Sequence, residues 1–560
     1  MWRDWKLFIP KSVTVLRQGY GLGDFRGDVI AGLTVAIVAM PLAMALAIAS
    51  GATPAQGLIT AVVAGFAISL FGGSRFQIGG PTGAFVVVVY GVIAKHGYDG
   101  LLIATTIAGV ILVAAGLLRV GTLIKYIPDP VTTGFTTGIA TIILASQLKD
   151  IFGLHADHVP ADFIPKLQAL WAARATLSLP TLAMAVSCFA AIMLLRRYLP
   201  KAPGFLVVTI AASAAAFFLV MPVETIGSKF GGVPSSIPLP SFAFWSWSKV
   251  RDVLPSAFTI ALLAGVESLL SAVVADQMTG RRHRSNIELV AQGIANIASA
   301  AVGGLPATGA IARTATSIRS GARSPLAGML HAAFLLLFML VLAPLAKFVP
   351  LAALAAILVV VALNMAELHR FKTLLGAANG DRAVLLLTFG LTVVVDLTLA
   401  IEVGMVLAAF VFMHRMSQLS SVQNGGAPLI DEDQDDFARK GELAYQPYEG
   451  LPHDTSVITF RGPLFFGSTS VLKDALDQIG ARSKRYILRF EDVPLIDPTG
   501  AAALASFLKR AADDQASVTL CGVREGVRTN LNRSIAAGVL AKIAFVANFE
   551  DARAAIQAPA

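Results

Sequence analysis

Residues 304–312 read GLPATGAIA, and residues 79–85 read GGPTGAF. Each carries Thr-Gly-Ala (Thr308-Gly309-Ala310 and Thr82-Gly83-Ala84) just after a break containing glycine and proline. The triplet alone is weak evidence, because membrane helices rich in alanine and glycine produce it by chance. Its position gives it weight. Apolar segments run near residues 29–50, 56–73, 82–94, 101–120, 131–148, 179–197, 204–222, 256–275, 286–303, 308–320, 326–346, 349–364, 383–397 and 399–416, fourteen in all. The two Thr-Gly-Ala copies open the third and the tenth, the same place in two halves of seven. Seven is odd, so the second half must be inverted relative to the first. Short segments interrupted by Gly and Pro at matching positions are the best sequence pointer to a transporter's binding site.

A helix that begins part-way through a membrane exposes its first N–H groups and the positive end of its dipole. Two such starts arriving from opposite sides would form a cradle for an anion near the midplane. Glycine lets the backbone approach the ligand, and Thr82 or Thr308 can cap the helix or donate to the ligand. Arg313 lies about one and a half turns beyond Thr308. It can supply a full positive charge to the cradle, or pair with Glu267. That glutamate stands alone in SAFTIALLAGVESLLSAVVA, Ser256–Ala275. A carboxylate at such a depth costs about 2.5–3.5 kcal/mol, so it must face protein or water and is a functional candidate. The competing reading is a structural glutamate hydrogen-bonded to a neighbouring helix.

Composition agrees with a membrane protein: of 560 residues 56% are hydrophobic and 14% charged, with a mean hydropathy of +0.71. Residues 1–430 hold 29 Lys+Arg against 17 Asp+Glu, and residues 431–560 hold 15 against 18. The basic balance therefore belongs to the membrane part, where cytoplasmic loops collect Lys and Arg, and calls for no nucleic acid. With the N-terminus inside, 20 Lys+Arg fall in inside loops and 8 in outside loops. Both termini are expected in the cytoplasm of a cell whose inner (plasma) membrane holds the chain. MWRDWKLFIPKSVTVLRQG at the start lacks a signal-peptide pattern, so insertion is expected to use the membrane helices. Cys188 and Cys521 are too few for a disulfide framework or a metal site, and no cofactor is expected.

The tail changes character. GGAPLIDEDQDDFARKGE, residues 425–442, reads as an acidic linker. TSVITFRG, KRYILRFEDV and SVTLCGV read as strands; SVLKDALDQIGAR and AAALASFLKRAADD read as amphipathic helices. Their alternation implies a small soluble α/β domain serving regulation or assembly. The expected division is 1–28, an N-terminal segment; 29–416, transport; 417–445, linker; and 446–560, the tail domain.

The chain resembles the SulP/SLC26 anion transporters through PLAMALA after Ala39, GGSRFQIGGPTGAF, AGVESLL, ATGAIARTA and a STAS-like tail. The resemblance implies fourteen segments in a seven-plus-seven inverted repeat, split into core and gate domains, with an elevator motion and commonly a homodimer. It puts the substrate site at Pro41, Leu42, Ala45, Gly80, Thr82, Gly83, Ala84, Phe85, Thr308, Gly309, Ala310 and Arg313, beside Glu267. Burial and a nearby Arg313 push the Glu267 carboxyl in opposite directions, so it is expected to couple transport to protons. Many eukaryotic members carry glutamine and tyrosine where this chain has Leu42 and Leu46. That less polar wall, and the pattern PLAMALAI, resemble the bacterial C4-dicarboxylate branch, so proton-coupled uptake of succinate, fumarate or aspartate is expected. Bicarbonate or sulfate is the alternative cargo, and Na+ the alternative coupling ion. A regulatory protein partner is expected for the tail. In IDPTG, Ile496–Gly500, Pro498 breaks the loop pattern that some STAS domains phosphorylate, so Thr499 is not expected to be a phosphosite. A channel, a membrane-anchored signalling protein and an enzyme fit less well. The membrane part has neither a metal-ligand set nor a spacing that suggests Ser, His and an acid together.

Overall fold

The computed structural model describes residues 6–122, 128–156, 159–199, 202–233, 236–395, 397–424, 427–428, 451–452, 454–469, 472–473, 476 and 483–557. Its apolar helices are α1 (Leu22–Ala49), α2 (Pro54–Phe71), α3 (Phe85–Leu117), α4 (Asp129–Phe152), α5 (Leu179–Tyr198), α6 (Gly204–Phe218) and α7 (Trp247–Thr279). The series continues with α8 (Ser285–Ala301), α9 (Ile311–Arg319), α10 (Leu326–Ala346), α11 (Leu351–Met365), α12 (Asn379–Val394) and α13 (Leu397–Gln418). Two residue pairs form short strands, β1 (Gly79–Gly80) and β2 (Thr308–Gly309). With 33 residues, α3 would be about 50 Å long if straight. Gly97, at φ 72°, breaks it into two segments, which brings the total to the fourteen that hydropathy implies. Among the described residues nine helices are long and apolar enough to cross a membrane. The nine-residue α9 covers only about 14 Å and is a half-helix.

Contacts sort the helices into two groups. In one, α3 packs on α7 and α8, while α10 packs on α1 and α2; α8 also meets α2, and α9 meets α7 and α1. In the other, α4 packs on α11 and α12, and α5 on α6 and α11. These are the core and gate of an inverted repeat. The α3–α8 crossing is close because both helices present glycine: a Cβ on Gly109 would stand 2.7 Å from the Gly293 carbonyl oxygen. Small residues allow such approach where no hydrophobic force drives helices together. Asp28, fully buried, ties α1 to the turn before α10. Its carboxylate accepts from the backbone N–H of Arg323 at 2.6 Å and Ser324 at 3.0 Å, and from the Tyr20 hydroxyl at 2.7 Å. The N-terminal segment, expected only as a cytoplasmic lead, contains a helix, Lys11–Arg17. It is pinned to the end of α2 by Lys11 N–H on Gly72 O at 2.9 Å and Ser12 Oγ on Leu70 O at 2.6 Å.

The second compact unit, Leu407–Ala560, holds β3 (Ser421–Asn424), β4 (Ala427–Pro428), β5 (Thr455–Arg461), β6 (Arg485–Asp492), β7 (Ser517–Cys521) and β8 (Ile543–Val546). The sheet order is β4-β3-β5-β6-β7-β8. β5 through β8 are parallel, and β3 runs antiparallel to β5. The three tail strands read from sequence are β5, β6 and β7, and AAALASFLKRAADD lies in the helix Pro498–Asp513. Most of SVLKDALDQIGAR and of the acidic linker lies outside the described residues. The sheet begins earlier than expected, since β3 and β4 fall within the stretch read as linker. Asp497 caps the helix, accepting from Gly500 N–H at 2.8 Å, with Pro498 in the first turn. IDPTG is thus a helix start, the arrangement for which Asp and Pro are preferred. The core is aliphatic and aromatic, centred on Phe460 and Phe490 with ring centroids 5.0 Å apart.

Candidate functional site

The two Thr-Gly-Ala breaks meet. Gly79 pairs with Gly309 and Gly80 with Thr308 in an antiparallel ladder, extended by Ala310 N–H donating to Ile78 O at 2.8 Å. The first turns of α3 and α9 therefore lie on either side of one backbone clasp. Neither helix start carries a side-chain cap. At α3 the first two N–H groups turn back to Thr82 O (3.3 Å) and Gly83 O (3.1 Å), so what the α3 start offers an anion is chiefly the positive end of the helix dipole.

Non-helical backbone is tolerated at membrane depth only where protein satisfies it. Here buried side chains do so. Asn296 donates to Ala307 O at 2.8 Å and accepts from Ala307 N–H at 2.9 Å. Thr60 accepts from Leu305 N–H at 2.6 Å, and Ser299 donates to Leu305 O at 2.6 Å. On the other strand Thr314 Oγ1 accepts from Ile78 N–H at 3.1 Å. The fully buried Glu288 accepts from the N–H groups of Gly73 (2.7 Å) and Ser74 (3.1 Å), from Ser268 Oγ (3.2 Å) and from Gln292 (2.9 Å). A buried carboxylate with that many donors is compensated, and removing its charge or its donors would be costly. Gln77 donates to Ser268 Oγ at 2.7 Å, and its side chain occupies the space a Cβ on Gly309 would need.

Thr82 and Glu267 face each other: the hydroxyl donates to Glu267 Oε2 at 2.8 Å. Both are partly exposed, as are Ile311 and Ala312 at the start of α9, which marks the open side of the clasp. The threonines do not cap. Thr82 is taken by Glu267, and buried Thr308 donates to Ala264 O at 2.8 Å, because each lies against α7 and not along its own helix axis. Arg313, buried, does not form an ion pair with Glu267. Its guanidinium donates to Gly79 O at 3.4 Å and to Pro81 O, and a Cβ on Gly80 would come within 2.6 Å of Nη1. It braces the first break from behind and leaves a positive charge at the base of the clasp.

Gly83 faces the gate, where a Cβ would meet Met365 Sδ at 2.5 Å and Ile143. Ala84 and Phe85 are buried at the start of α3. Pro41, Leu42 and Ala45 lie in α1, Pro41 and Ala45 buried and Leu42 half-buried. Because α1 packs on α3 and α9, that stretch adds apolar wall without a polar group. The structure thus brings together Gly80, Thr82, Glu267, Thr308, Gly309, Ala310 and Arg313, with the α1 residues at one remove. Sequence reading passed over Gln77, Glu288 and Asn296. A signal existed: Glu288, Gln292 and Asn296 recur at i, i+4 and i+8, a polar stripe on one face of an apolar helix.

A polytopic membrane protein whose two broken helices are clasped across an inverted repeat, with cationic and dipolar groups at the clasp, is an anion transporter. The chain belongs to the sulfate permease (SulP/SLC26) family: residues 25–388 match that family, and residues 448–552 match the STAS domain. It is 39% identical over 520 residues to the Bacillus subtilis protein named "Putative sulfate transporter YvdB", covering 92% of this chain and 95% of that one. It is 30% identical over 524 residues to the "Bicarbonate transporter BicA" of Picosynechococcus, 91% of each chain. The solved transmembrane domain of a cyanobacterial BicA aligns at TM-score 0.61 and 29% identity, over 70% of this chain and 98% of that one. SLC26A9 aligns at TM-score 0.84 over 99% of this chain and 93% of its own, at 18% identity, a likeness of fold. Members of the family are transporters and not enzymes.

Proposed function

We propose that this chain carries a small inorganic oxyanion, sulfate or bicarbonate, across the plasma membrane, with both termini in the cytoplasm. The observation that carries the reading is the clasp: two uncapped helix starts held side by side, with Arg313 behind them and Glu267 on the open side. Backbone N–H groups and a helix dipole suit a compact oxyanion, whose charge is spread over several oxygens. Substrate contact falls to Gly80, Thr82, Gly83, Ala84 and Phe85 on one break and Thr308, Gly309, Ala310 and Arg313 on the other. Pro41, Leu42 and Ala45 line the wall. The core helices move past the gate with the anion on board, and Glu267 takes up a proton as the negative cargo enters. Homodimerisation and regulation through the tail domain complete the reading.

The names of the relatives favour sulfate and bicarbonate over the C4-dicarboxylates expected from the PLAMALAI pattern. The dicarboxylate reading keeps one specific support, Leu42 and Leu46, which replace an amide and a phenol and suit a methylene body. Uptake of radiolabelled sulfate, bicarbonate and succinate into proteoliposomes, at several pH values, separates the readings. Saturable sulfate or bicarbonate uptake that excess succinate leaves unchanged is the expected outcome. Succinate uptake alone would overturn the proposal.

A further inference from the structure

Three segments converge on the membrane face that carries the N-terminal helix: Lys11–Arg17, the turn after α2, and the turn between α7 and α8. Arg284 donates to Ile9 O at 2.5 Å and Thr14 Oγ1 at 3.0 Å, and Arg75 donates to Gln18. The meeting gathers Lys11, Arg75, Arg281 and Arg284. Burial, with the positive charges of Arg284, Arg75 and Arg281, holds the Lys11 ammonium below the usual lysine range, and Asp276 opposes this only partly. That carboxylate is already engaged by His283, through its N–H at 3.0 Å and Nδ1 at 2.8 Å. Among the described residues no ion pair is formed by Lys11, Arg75, Arg281, Arg282 or Arg284.

A cavity of about 650 Å³ opens beside this cluster, between the turn that follows α3 (Gly121 and Thr122) and the end of α7. Its mouth holds Arg281, Arg282 and the Thr122 and Ser285 side chains, and its wall includes Leu270 and Val273. These last two are 40% and 37% exposed. On the same face of the molecule, Val13 and Leu16 of the N-terminal helix are exposed beside its basic residues, the composition of a helix lying at a membrane surface. Asp276 also lines the cavity but is held by His283. Two exposed arginines that form no ion pair among the described residues, above an apolar wall, match one kind of molecule, an anion with a hydrocarbon tail.

We infer that the cavity between the turn after α3 and the end of α7 binds the phosphate headgroup of an anionic phospholipid through Arg281 and Arg282, with its acyl chain along Leu270 and Val273. Basic pockets between membrane helices bind lipid headgroups in this way. The inference is independent of which anion the clasp carries. It places a lipid on α7, the helix that also supplies Glu267, so membrane composition would act directly on the helix that contacts the clasp.

The test is thermal unfolding of the full-length protein in neutral detergent during titration with phosphatidylglycerol, phosphatidylcholine or glycerol 3-phosphate. The expected result is a saturable rise in Tm with phosphatidylglycerol only. Arg281→Gln/Arg282→Gln should unfold at the parent temperature without lipid and need about 30-fold more phosphatidylglycerol for the same rise, from about fivefold per surface cation. Val273→Trp fills the cavity and keeps every charge, and should lose the rise. An equal rise with phosphatidylcholine, or with glycerol 3-phosphate, would overturn the assignment to an anionic lipid. A full rise in Val273→Trp would show that the lipid sits elsewhere.

Discussion

A methyl group at Gly309 is the sharpest probe of the clasp. Gly309 is not in the left-handed region, so alanine there meets a steric obstacle and not a backbone one. The obstacle is the Gln77 side chain, whose amide donates to Ser268 at 2.7 Å. Forcing an extra methyl into a close-packed site costs about 1–3 kcal/mol. Displacing Gln77 from Ser268 leaves buried polar groups unpaired, about 1–3 kcal/mol more. Gly309→Ala should therefore lose about 2–6 kcal/mol, and Gln77→Ala, which forfeits the hydrogen bond and leaves a void at a buried site, about 2–5 kcal/mol. In the double variant the space is free, so its loss should be no greater than that of Gln77→Ala alone. The coupling would then be about −2 kcal/mol or more negative, large beside the roughly 0.5 kcal/mol scatter of independent sites. Unfolding in mixed SDS micelles measures all four corners, and anion uptake in proteoliposomes should follow the same order. Additive losses would refute the reasoning, because Gln77 would then not be what Gly309 makes room for.

Glu267→Gln keeps an acceptor for Thr82, so the protein should fold and exchange anion at equal pH, yet lose accumulation driven by an inward proton gradient. Undiminished accumulation would place the coupling elsewhere. Glu288→Ala orphans four donors and should cost about 1–3 kcal/mol for each one left buried and unpaired, seen as loss of monodisperse protein on size exclusion; a variant as stable as the parent contradicts that bonding. Asp497→Ala removes a helix cap worth about 1–2 kcal/mol, and hydrogen exchange in the full chain should quicken at the start of Pro498–Asp513 while β6 and β7 stay protected. Burial pushes the Cys521 thiol up to about 11 from 9.0, so iodoacetamide at pH 8 should alkylate it only after denaturation. The same shift has a sign: between those values the unfolded thiol ionises first, so this contribution to stability falls as pH rises above about 9. Ready alkylation of the native protein would count against the burial.

Hydropathy made the fourteen segments legible, because a bilayer leaves a one-dimensional imprint on the chain. The half-helices were legible too, since Gly and Pro at matched positions have few other uses in a membrane. What the side chains do there was not. A threonine beside a break looks like a cap, yet Thr82 answers to Glu267, 185 residues away, and nothing local encodes that. Glu267 drew attention by standing alone, whereas Glu288, nearer the head of its helix where an acid is ordinary, drew none although it holds the turn after α2. Arg313 left the expected ion pair with Glu267, because two peptide carbonyls exposed by the first break offered it bonds no helix would have left free. β3 and β4 escaped for a similar reason: SVQN carries little strand character of its own and becomes a strand by pairing with β5.

The ladder between Gly79–Gly80 and Thr308–Gly309 has a mechanical consequence. Its hydrogen bonds lie where few waters could replace them, so pulling the two breaks apart would strand backbone groups at the worst depth. A carrier built like a pair of jaws would have to do that in every cycle. This one is stitched shut at its middle, with one stitch from each half of the gene, so the grip on the cargo and the route to it are separate parts. In the proposed cycle the surroundings of the stitch alternate between the two sides of the membrane, while the seam itself travels closed.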